Sequence, residues 1–151
     1  MTAADEAQGL FFEIGMAHRV KVGAALADLG LTFTQAHALR LLEPDHPFPM
    51  SKLAELLFCD ASNVTGIADR LEARGLVRRA EGTDRRVKML TLTKAGVDLR
   101  ARVMRLMNEP PAAITLLSAK DQRALRDILR RAVANLDADR ARHRAWQTGT
   151  S

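Results

Sequence analysis

Residues 61–96 read ASNVTGIADRLEARGLVRRAEGTDRRVKMLTLTKAG, and their pattern is the most informative about the fold. Its first part predicts a helix from Ala61 to Arg74, because apolar residues recur there at helical spacing: Val64, Ile67, Ala68 and Leu71. Asp60 is the predicted N-cap, and Gly75 suits the left-handed position that follows a helix end. The segments LVRR and RVKMLTL predict two strands joined by the turn AEGTD. The stretch therefore predicts a helix followed at once by a β-hairpin.

The second predicted strand alternates imperfectly between apolar and polar residues. Val87 and Met89 would face one way, whereas Leu90 and Leu92 would face the other. Either a bulge, or a strand with both faces partly covered, would explain this pattern.

Two short helices are predicted upstream of this stretch. Thr34 is the predicted N-cap of a helix from Gln35 to Leu42. The three prolines of EPDHPFP, residues 43–49, then force a break. Ser51 is the predicted N-cap of the next helix, KLAELL.

Longer amphipathic helices are predicted towards both ends of the chain. One covers residues 5–29, and Gly30 ends it. A second is capped by Thr93 and runs to Asn108, where the sequence EPP stops it. In the last helix, residues 119–138, Ser118 and Asp121 resemble a capping box, and one face is apolar: Leu125, Ile128, Leu129, Ala132, Val133 and Leu136. The basic tail RARHRAWQTGTS, residues 140–151, is expected to fray.

The two helices around FCDAS have the pattern of a helix-turn-helix. Ala54 is the small residue that lets the second helix approach, and Val64 is the expected buried residue. Phe58 departs from the commonest form, in which Gly is frequent in the turn. Short polar side chains of the right length to read base edges cluster early in the second helix: Ser62, Asn63 and Thr65.

The remaining exposed positions of this helix also suit contact with DNA. Gly66 inside a helix costs about 1 kcal/mol relative to Ala, and a close approach of the backbone to DNA would compensate. Arg70 and Arg74 flank one edge of the same face. The alternative interpretation is a solvated helix face with a harmless Gly.

A hairpin after such a helix is a wing. Arg85 and Arg86 at its tip can reach a minor groove, and Lys88 adds a cation for phosphates. Asp84 would be repelled by phosphates, so we expect its carboxylate to orient an arginine fork: Arg86, Arg74 or Arg78. The alternative is an ordinary charged turn with a solvated ion pair.

Three motifs in this stretch resemble the MarR family of winged-helix transcription regulators. They are the step LE-x-x-GLV-x-R from Leu71 to Arg79, the wing D-x-R at Asp84 and Arg86, and the strand end L-T-x-x-G from Leu92 to Gly96. The flanking segments LTFTQAHALRLL and LSAKDQRALRDILRRA are similar to the family's second and last helices. The resemblance covers most of residues 10–136.

The resemblance implies a mostly α fold with a small β-hairpin wing, a winged helix-turn-helix with N- and C-terminal dimerisation helices. It implies a single domain over residues 1–151, with the winged helix-turn-helix at about 31–97 and the dimerisation helices at 5–29 and 98–142. It also implies a homodimer that binds a pseudo-palindromic operator in double-stranded DNA, most often as a repressor.

Physical arguments favour the same partners. The wide apolar stripes of the terminal helices exceed what one small lobe can cover, so a two-fold pair is expected to bury them. The net charge of +5 and the pI of about 10.1 favour a polyanion. The acidic, polar start, the absence of a long apolar stretch and the single Cys59 predict a cytoplasmic protein that does not enter membranes.

Catalysis, metals and cofactors are not expected. The four histidines lack metal-binding spacing, and no glycine-rich nucleotide motif or nucleophile motif occurs in the sequence. The protein is therefore predicted not to be an enzyme and to need no cofactor.

Members of the family often bind a small anionic or phenolic effector between the dimer helices and the DNA-binding lobe. The residues that would line such a pocket here are Phe11, His18, Arg19, His37 and Arg40, with Phe12 and Met16 as further apolar wall. The alternative is that the Phe and Met side chains are core and that the His and Arg side chains are solvated or interfacial.

Two other functions remain open from the sequence. Cys59 lies just before the recognition helix and could act as a redox sensor, although the adjacent Asp60 disfavours the thiolate and a buried structural thiol is the simpler reading. A winged helix can also serve as a protein-interaction module.

Overall fold

The computed structural model describes the backbone of residues 1–148 and the side chains of residues 1–137. In chain order the elements are α1 (Ala3–Asp28), α2 (Phe33–Leu41), β1 (Phe48–Pro49), α3 (Met50–Leu57), α4 (Ala61–Ala73), β2 (Val77–Glu81), β3 (Lys88–Leu92), α5 (Lys94–Asn108), α6 (Ala112–Thr115) and α7 (Ala119–Thr148). The chain divides into two compact units, Met1–Glu109 and Pro110–Ser151. The fold is mostly helical with one small antiparallel sheet, as predicted.

Several predicted helix ends are confirmed. Asp60 caps α4, and Thr93 caps α5 by accepting a hydrogen bond from the amide of Gly96 at 3.1 Å. Gly30 and Gly75 both have a φ of 68°, in the left-handed region that follows a helix end. These signals depend on three or four neighbouring residues, which is why the sequence reveals them.

Two predicted caps are wrong. Thr32, not Thr34, caps α2, because only Thr32 lies three residues before Gln35 and can exchange hydrogen bonds with it (3.2 Å and 3.0 Å). Ser51 does not cap α3, since the helix begins at Met50 directly after strand residue Pro49 and has no side-chain cap. Ser51 is already inside the helix.

The hairpin belongs to a sheet of three strands, in the order β1-β3-β2. The pairing of β2 with β3 is uninterrupted from Val77↔Leu92 to Glu81↔Lys88, and β1 adds Phe48↔Leu90 and Pro49↔Met89. Of the two explanations for the imperfect alternation, the covered strand therefore holds and the bulge does not. The strand β1 was not predicted, and its proline is tolerated because the strand lies at the sheet edge.

One hydrophobic core fills the first unit. Its large, fully buried side chains come from α1, α2 and the residue after it, α3, α4, the sheet and α5: Leu26, Leu39, Leu42, Leu53, Val64, Leu71, Val77, Leu90 and Val103. At Gly96 an added Cβ would lie 1.9 Å from the carbonyl oxygen of Leu76, so α5 approaches the start of β2 more closely than any side chain permits. The core thus fixes α4 and the sheet on one scaffold.

Large apolar side chains remain exposed on the two longest helices. On α1 they are Leu10, Phe11, Phe12, Ile14, Met16 and Val20, and on α7 they are Ile128, Leu129, Val133 and Leu136. The predicted fraying of the tail is not seen in the backbone as far as Thr148, and residues 149–151 lie outside the described residues. The short helix α6 was not predicted.

Candidate nucleic-acid interface

The turn between α3 and α4 begins at Phe58. This residue has φ 53° and ψ 41°, a left-handed conformation, and it is 97% exposed. Its amide donates to the carbonyl of Glu55 at 3.2 Å, and the amide of Cys59 donates to that of Ala54 at 3.1 Å. A Phe therefore makes the turn that Gly often makes, at a conformational cost of about 1–2 kcal/mol.

Asp60 fixes the start of α4. Its carboxylate accepts hydrogen bonds from the amide of Asn63 at 2.9 Å and from the hydroxyl of Ser62 at 2.8 Å. The bond from the Asn63 amide, followed by the bond from Ser62, lowers the pKa of Asp60. A carboxylate that stays ionised is favourable at a helix N-terminus.

The apolar stripe of α4 is buried, and the polar face of the helix is exposed. The four predicted apolar residues are each at most 7% exposed: Val64, Ile67, Ala68 and Leu71. The predicted reading residues are all exposed: Ser62, Asn63, Thr65 and Arg70. A Cβ added to Gly66 would meet no heavy atom within 4 Å, so packing does not require glycine there.

The wing presents cations, but its anion does not hold an arginine fork. Arg85, Arg86 and Lys88 are exposed. The carboxylate of Asp84 instead accepts a hydrogen bond from the backbone amide of Arg86 at 2.9 Å, and among the described residues it pairs with no guanidinium group. An Asp side chain often accepts a hydrogen bond from the amide two residues ahead in a turn, and Asp84 does so here instead of pairing with a guanidinium group. Asp84 therefore shapes the tip of the wing.

Arg74 has a structural partner rather than a free guanidinium group. It donates to the carbonyl oxygens of Gly30 at 2.7 Å and Leu29 at 2.9 Å. Carbonyls at a helix C-terminus lack intrahelical partners, and a cation is favourable there. Arg74 therefore ties the end of α4 to the end of α1, and its guanidinium group does not belong to the candidate interface.

Arg79 has a role that was not predicted from the sequence. The guanidinium group of this β2 residue forms ion pairs with Asp69 and Glu72 of α4, at 2.5 Å to Asp69. The spacing offered a signal, because Asp69 and Glu72 lie three residues apart on one helix and Arg79 follows within the next strand. The sequence does not show that β2 folds back along α4, which is what brings Arg79 to these two carboxylates.

A cleft of about 300 Å³ separates α3 and the start of α4 from the wing. Its floor is mostly apolar, and two cations lie among its lining residues: Met50, Ser51, Ala54, Ala61, Val64, Thr65, Arg86, Val87 and Lys88. Thr65 of the predicted reading residues and the wing residues Arg86 and Lys88 thus border one groove.

The predicted effector residues do not form one site. His18 and Arg19 line a cleft of about 240 Å³ together with Gly15, Val22, Phe33 and Met107. The guanidinium carbon of Arg19 lies 4.3 Å from the centre of the Phe33 ring, and Nδ1 of His18 is buried without a hydrogen-bond partner among the described residues. Phe33 was not predicted.

The other three predicted effector residues lie outside that cleft. His37 and Arg40 contact each other, with Nε2 of His37 3.3 Å from a guanidinium nitrogen. Burial, and then the charge of Arg40, lowers the pKa of His37, so its neutral form is favoured. Phe11 is 70% exposed.

Two further sequence expectations concern Cys59 and membranes. Cys59 is half-buried, next to the core, which suits the structural reading of this thiol. Among the described residues, no helix combines the length and apolar character that crossing a membrane requires.

Comparison with known proteins supports the motifs. The model of the MarR family matches residues 31–88, the segment from the start of α2 to the start of β3. The transcriptional regulator SarZ of Staphylococcus epidermidis is 32% identical over 76 residues, which are 50% of this chain and 51% of SarZ. The chain therefore matches about half the length of that relative.

Solved structures extend the likeness to most of the chain. A variant of MepR from Staphylococcus aureus superposes with a TM-score of 0.76 at 21% identity, covering 90% of this chain and 99% of MepR. MepR bound to an oligodeoxyribonucleotide gives 0.64 at 22%, covering 86% and 97%. AbsC of Streptomyces coelicolor, a MarR family transcriptional regulator, gives 0.66 at 24%, covering 91% and 97%.

These likenesses show the winged helix-turn-helix fold, and the matched family consists of transcription regulators rather than enzymes. The wing motif, the match over residues 31–88 and the fold agree with one another. The segment of this chain that is similar to the MarR family is therefore residues 31–88, and the solved structures extend the similarity of fold beyond it.

Proposed function

We propose that the chain is a homodimeric, sequence-specific DNA-binding regulator, acting as a repressor that a small molecule releases. The observation that carries the proposal is the polar outward face of α4 beside a cationic wing. Both belong to one scaffold, so they can meet one duplex together.

In this proposal α4 enters the major groove. The exposed side chains of Ser62, Asn63, Thr65 and Arg70 would contact base edges and so select the sequence. The open space around Gly66 would admit the DNA backbone or a base edge close to the helix. The ionised Asp60 is engaged by Ser62 and the Asn63 amide, which reduces its repulsion of phosphates.

The wing would contribute mainly to affinity. Arg85, Arg86 and Lys88 are exposed at or near its tip, where guanidinium groups can enter a minor groove and the ammonium group can meet phosphates. The bond from the Arg86 amide to Asp84 holds the tip in one shape.

A second copy of the chain would cover the exposed apolar faces of α1 and α7. Phe11 and Phe12 are 70% and 67% exposed, and Val133 and Leu136 are 55% and 56% exposed, and large apolar side chains grouped on one helix face are typical of interaction surfaces. A two-fold pair would also present two α4 helices to the two halves of a pseudo-palindromic operator.

The effector would bind in the cleft of His18, Arg19 and Phe33. The cleft combines a cation, an aromatic ring and an unpaired imidazole nitrogen, which suits a small aromatic acid or phenol. It lies against α1, so a ligand there could change the spacing of the two lobes in the dimer.

Salt dependence tests the DNA-binding proposal directly. A dimer that contacts roughly 6–10 phosphates should lose about a thousandfold or more in affinity between about 50 and 200 mM salt. The measurement is fluorescence anisotropy on a duplex selected from a random pool. A flat salt response would contradict the proposal.

A further inference from the structure

The helix α4 carries two carboxylates on its exposed side. Asp69 is 60% and Glu72 39% exposed, and the two lie on neighbouring turns of the helix. Phosphates repel carboxylates, so an acidic pair on a helix that approaches DNA weakens binding by its charge. A second role for the pair would explain its presence there.

Arg79 of β2 joins both carboxylates. Its guanidinium group contacts Oδ1 of Asp69 at 2.5 Å and Oε2 of Glu72, and its backbone amide donates to Oε1 of Glu72 at 3.2 Å. The hydrogen bond to Asp69 raises the pKa of Arg79. Burial lowers this pKa by a smaller amount, and the bond to Glu72 raises it further. Main chain and side chain thus tie one strand of the wing to α4.

The tie lies where the sheet leaves the core. Val77, two residues earlier on the same face of β2, is 1% exposed, whereas the Arg79 side chain is 31% exposed. Beyond this level a recess of about 440 Å³ borders α4 and the hairpin, lined by Met50, Thr65, Arg79, Ala80, Glu81 and Lys88. Apolar packing between β2 and α4 therefore ends near Arg79. From there, the ion pairs of Arg79 with Asp69 and Glu72 hold the strand against the helix.

We propose that Arg79 is a positioning residue for DNA recognition, which fixes the angle between the wing and α4 by holding Asp69 and Glu72. The inference rests on the proposed DNA-binding function. A planar guanidinium group held at two points restricts rotation of the hairpin about its base. The wing and α4 then meet one duplex without an ordering cost at binding.

The sign of one variant tests this role. Asp69→Asn/Glu72→Gln removes two negative charges from the DNA-facing side, which by charge alone should tighten binding. If the pair positions the wing, the variant binds the selected duplex at least about fivefold more weakly. Equal or tighter binding would overturn the inference.

Coupling to the wing gives a second readout. Arg86→Ala should lower affinity about tenfold in the unaltered chain but less than about threefold in Asp69→Asn/Glu72→Gln, because a loose wing contributes little. If Asp69 and Glu72 affected only the stability of the fold, Arg86→Ala would lower the affinity by the same factor in the unaltered chain and in the double variant. Equal losses would therefore reject the positioning role.

Two further variants control the test. Glu81→Gln removes an exposed carboxylate from the same hairpin and keeps the tie, so it should bind as tightly as the unaltered chain or more tightly. Arg79→Lys keeps the charge but cannot hold two carboxylates in a fork, so it should weaken binding and lose the coupling. If Asp69→Asn/Glu72→Gln melts below the assay temperature, Arg79→Lys replaces it in both measurements.

The unaltered chain separates the two levels of failure. If it binds no duplex, the proposed function fails and this inference fails with it. If it binds with the expected salt dependence while the tie variants bind equally well, only the positioning role fails.

Discussion

Phe58 occupies a conformation that its side chain opposes. Its φ of 53° places the Cβ near the following carbonyl oxygen, and its 97% exposure means that burial returns little stabilisation. Phe58→Gly should therefore raise the free energy of unfolding by about 1 kcal/mol, as measured by urea denaturation. Phe58→Ala is the matched control, because it removes the ring and keeps the Cβ. Equal stabilisation by both would show that the ring, not the backbone, is the source.

Single residues also show how far sequence reasoning reaches. Asp60 and Thr93 were identified as caps because their partners are three residues away. Arg74 was assigned to DNA by its type and position, yet it binds carbonyls 44 and 45 residues earlier in the chain. Which backbone groups lie within reach of a long side chain depends on tertiary packing, and one sequence does not contain that information in readable form.

At the scale of elements, the junction of α5 with β2 depends on Gly96. A Cβ there would lie 1.9 Å from the Leu76 carbonyl oxygen, so Gly96→Ala must push the helix from the strand. We expect a loss of about 3 kcal/mol in the free energy of unfolding, measured by urea denaturation. Gly66→Ala is the control of opposite sign, since its Cβ meets open space and should stabilise α4 by about 1 kcal/mol. A neutral Gly96→Ala would mean that the junction yields easily.

The wing gives a prediction that separates shape from charge. Asn can accept the hydrogen bond from the Arg86 amide as Asp84 does, so Asp84→Asn should keep the tip and remove a charge that repels phosphates. Binding should tighten by about twofold to threefold at low salt. Asp84→Ala loses the acceptor and should bind more weakly than Asp84→Asn. Anisotropy titrations that rank Ala above Asn would show that the tip does not need this bond.

The elements that sequence reasoning missed are short. β1 has two residues and α6 has four, too few for a hydrophobic period to be visible. The strands β2 and β3 were found because LVRR and RVKMLTL flank an obvious turn. The edge strand forms only because the hairpin offers Met89 and Leu90 as partners, which is a tertiary condition.

At the scale of the whole molecule, large apolar side chains are exposed on both α1 and α7. Leu10, Ile14 and Val20 of α1 and the apolar residues of α7 lie on stripes that the helical period predicts, and the two-fold partner that would cover them stays a prediction. The residues that line the cleft of His18 and Arg19 could be predicted only in part. His18 and Arg19 share a helix and were found together, but Phe33 joins them only through packing of α2 against α1.

The last prediction concerns the cleft of His18, Arg19 and Phe33. A small aromatic carboxylate bound beside Arg19 should raise the melting temperature and release DNA together, because a ligand shifts the DNA equilibrium only by its differential affinity for the two forms. At about 100 times its dissociation constant the stabilisation should be about 2.7 kcal/mol.

Variants locate the effect. Arg19→Gln and His18→Ala should abolish both the thermal shift and the release while leaving duplex affinity without ligand nearly unchanged, since neither residue belongs to the α4 and wing surface. Arg40→Ala is the matched control, because Arg40 lies outside the cleft and contacts His37 instead. Loss of the ligand response in Arg40→Ala but not in Arg19→Gln would place the effector at the other pair. If no aromatic acid shifts the melting temperature of the unaltered chain, the protein binds DNA without this control.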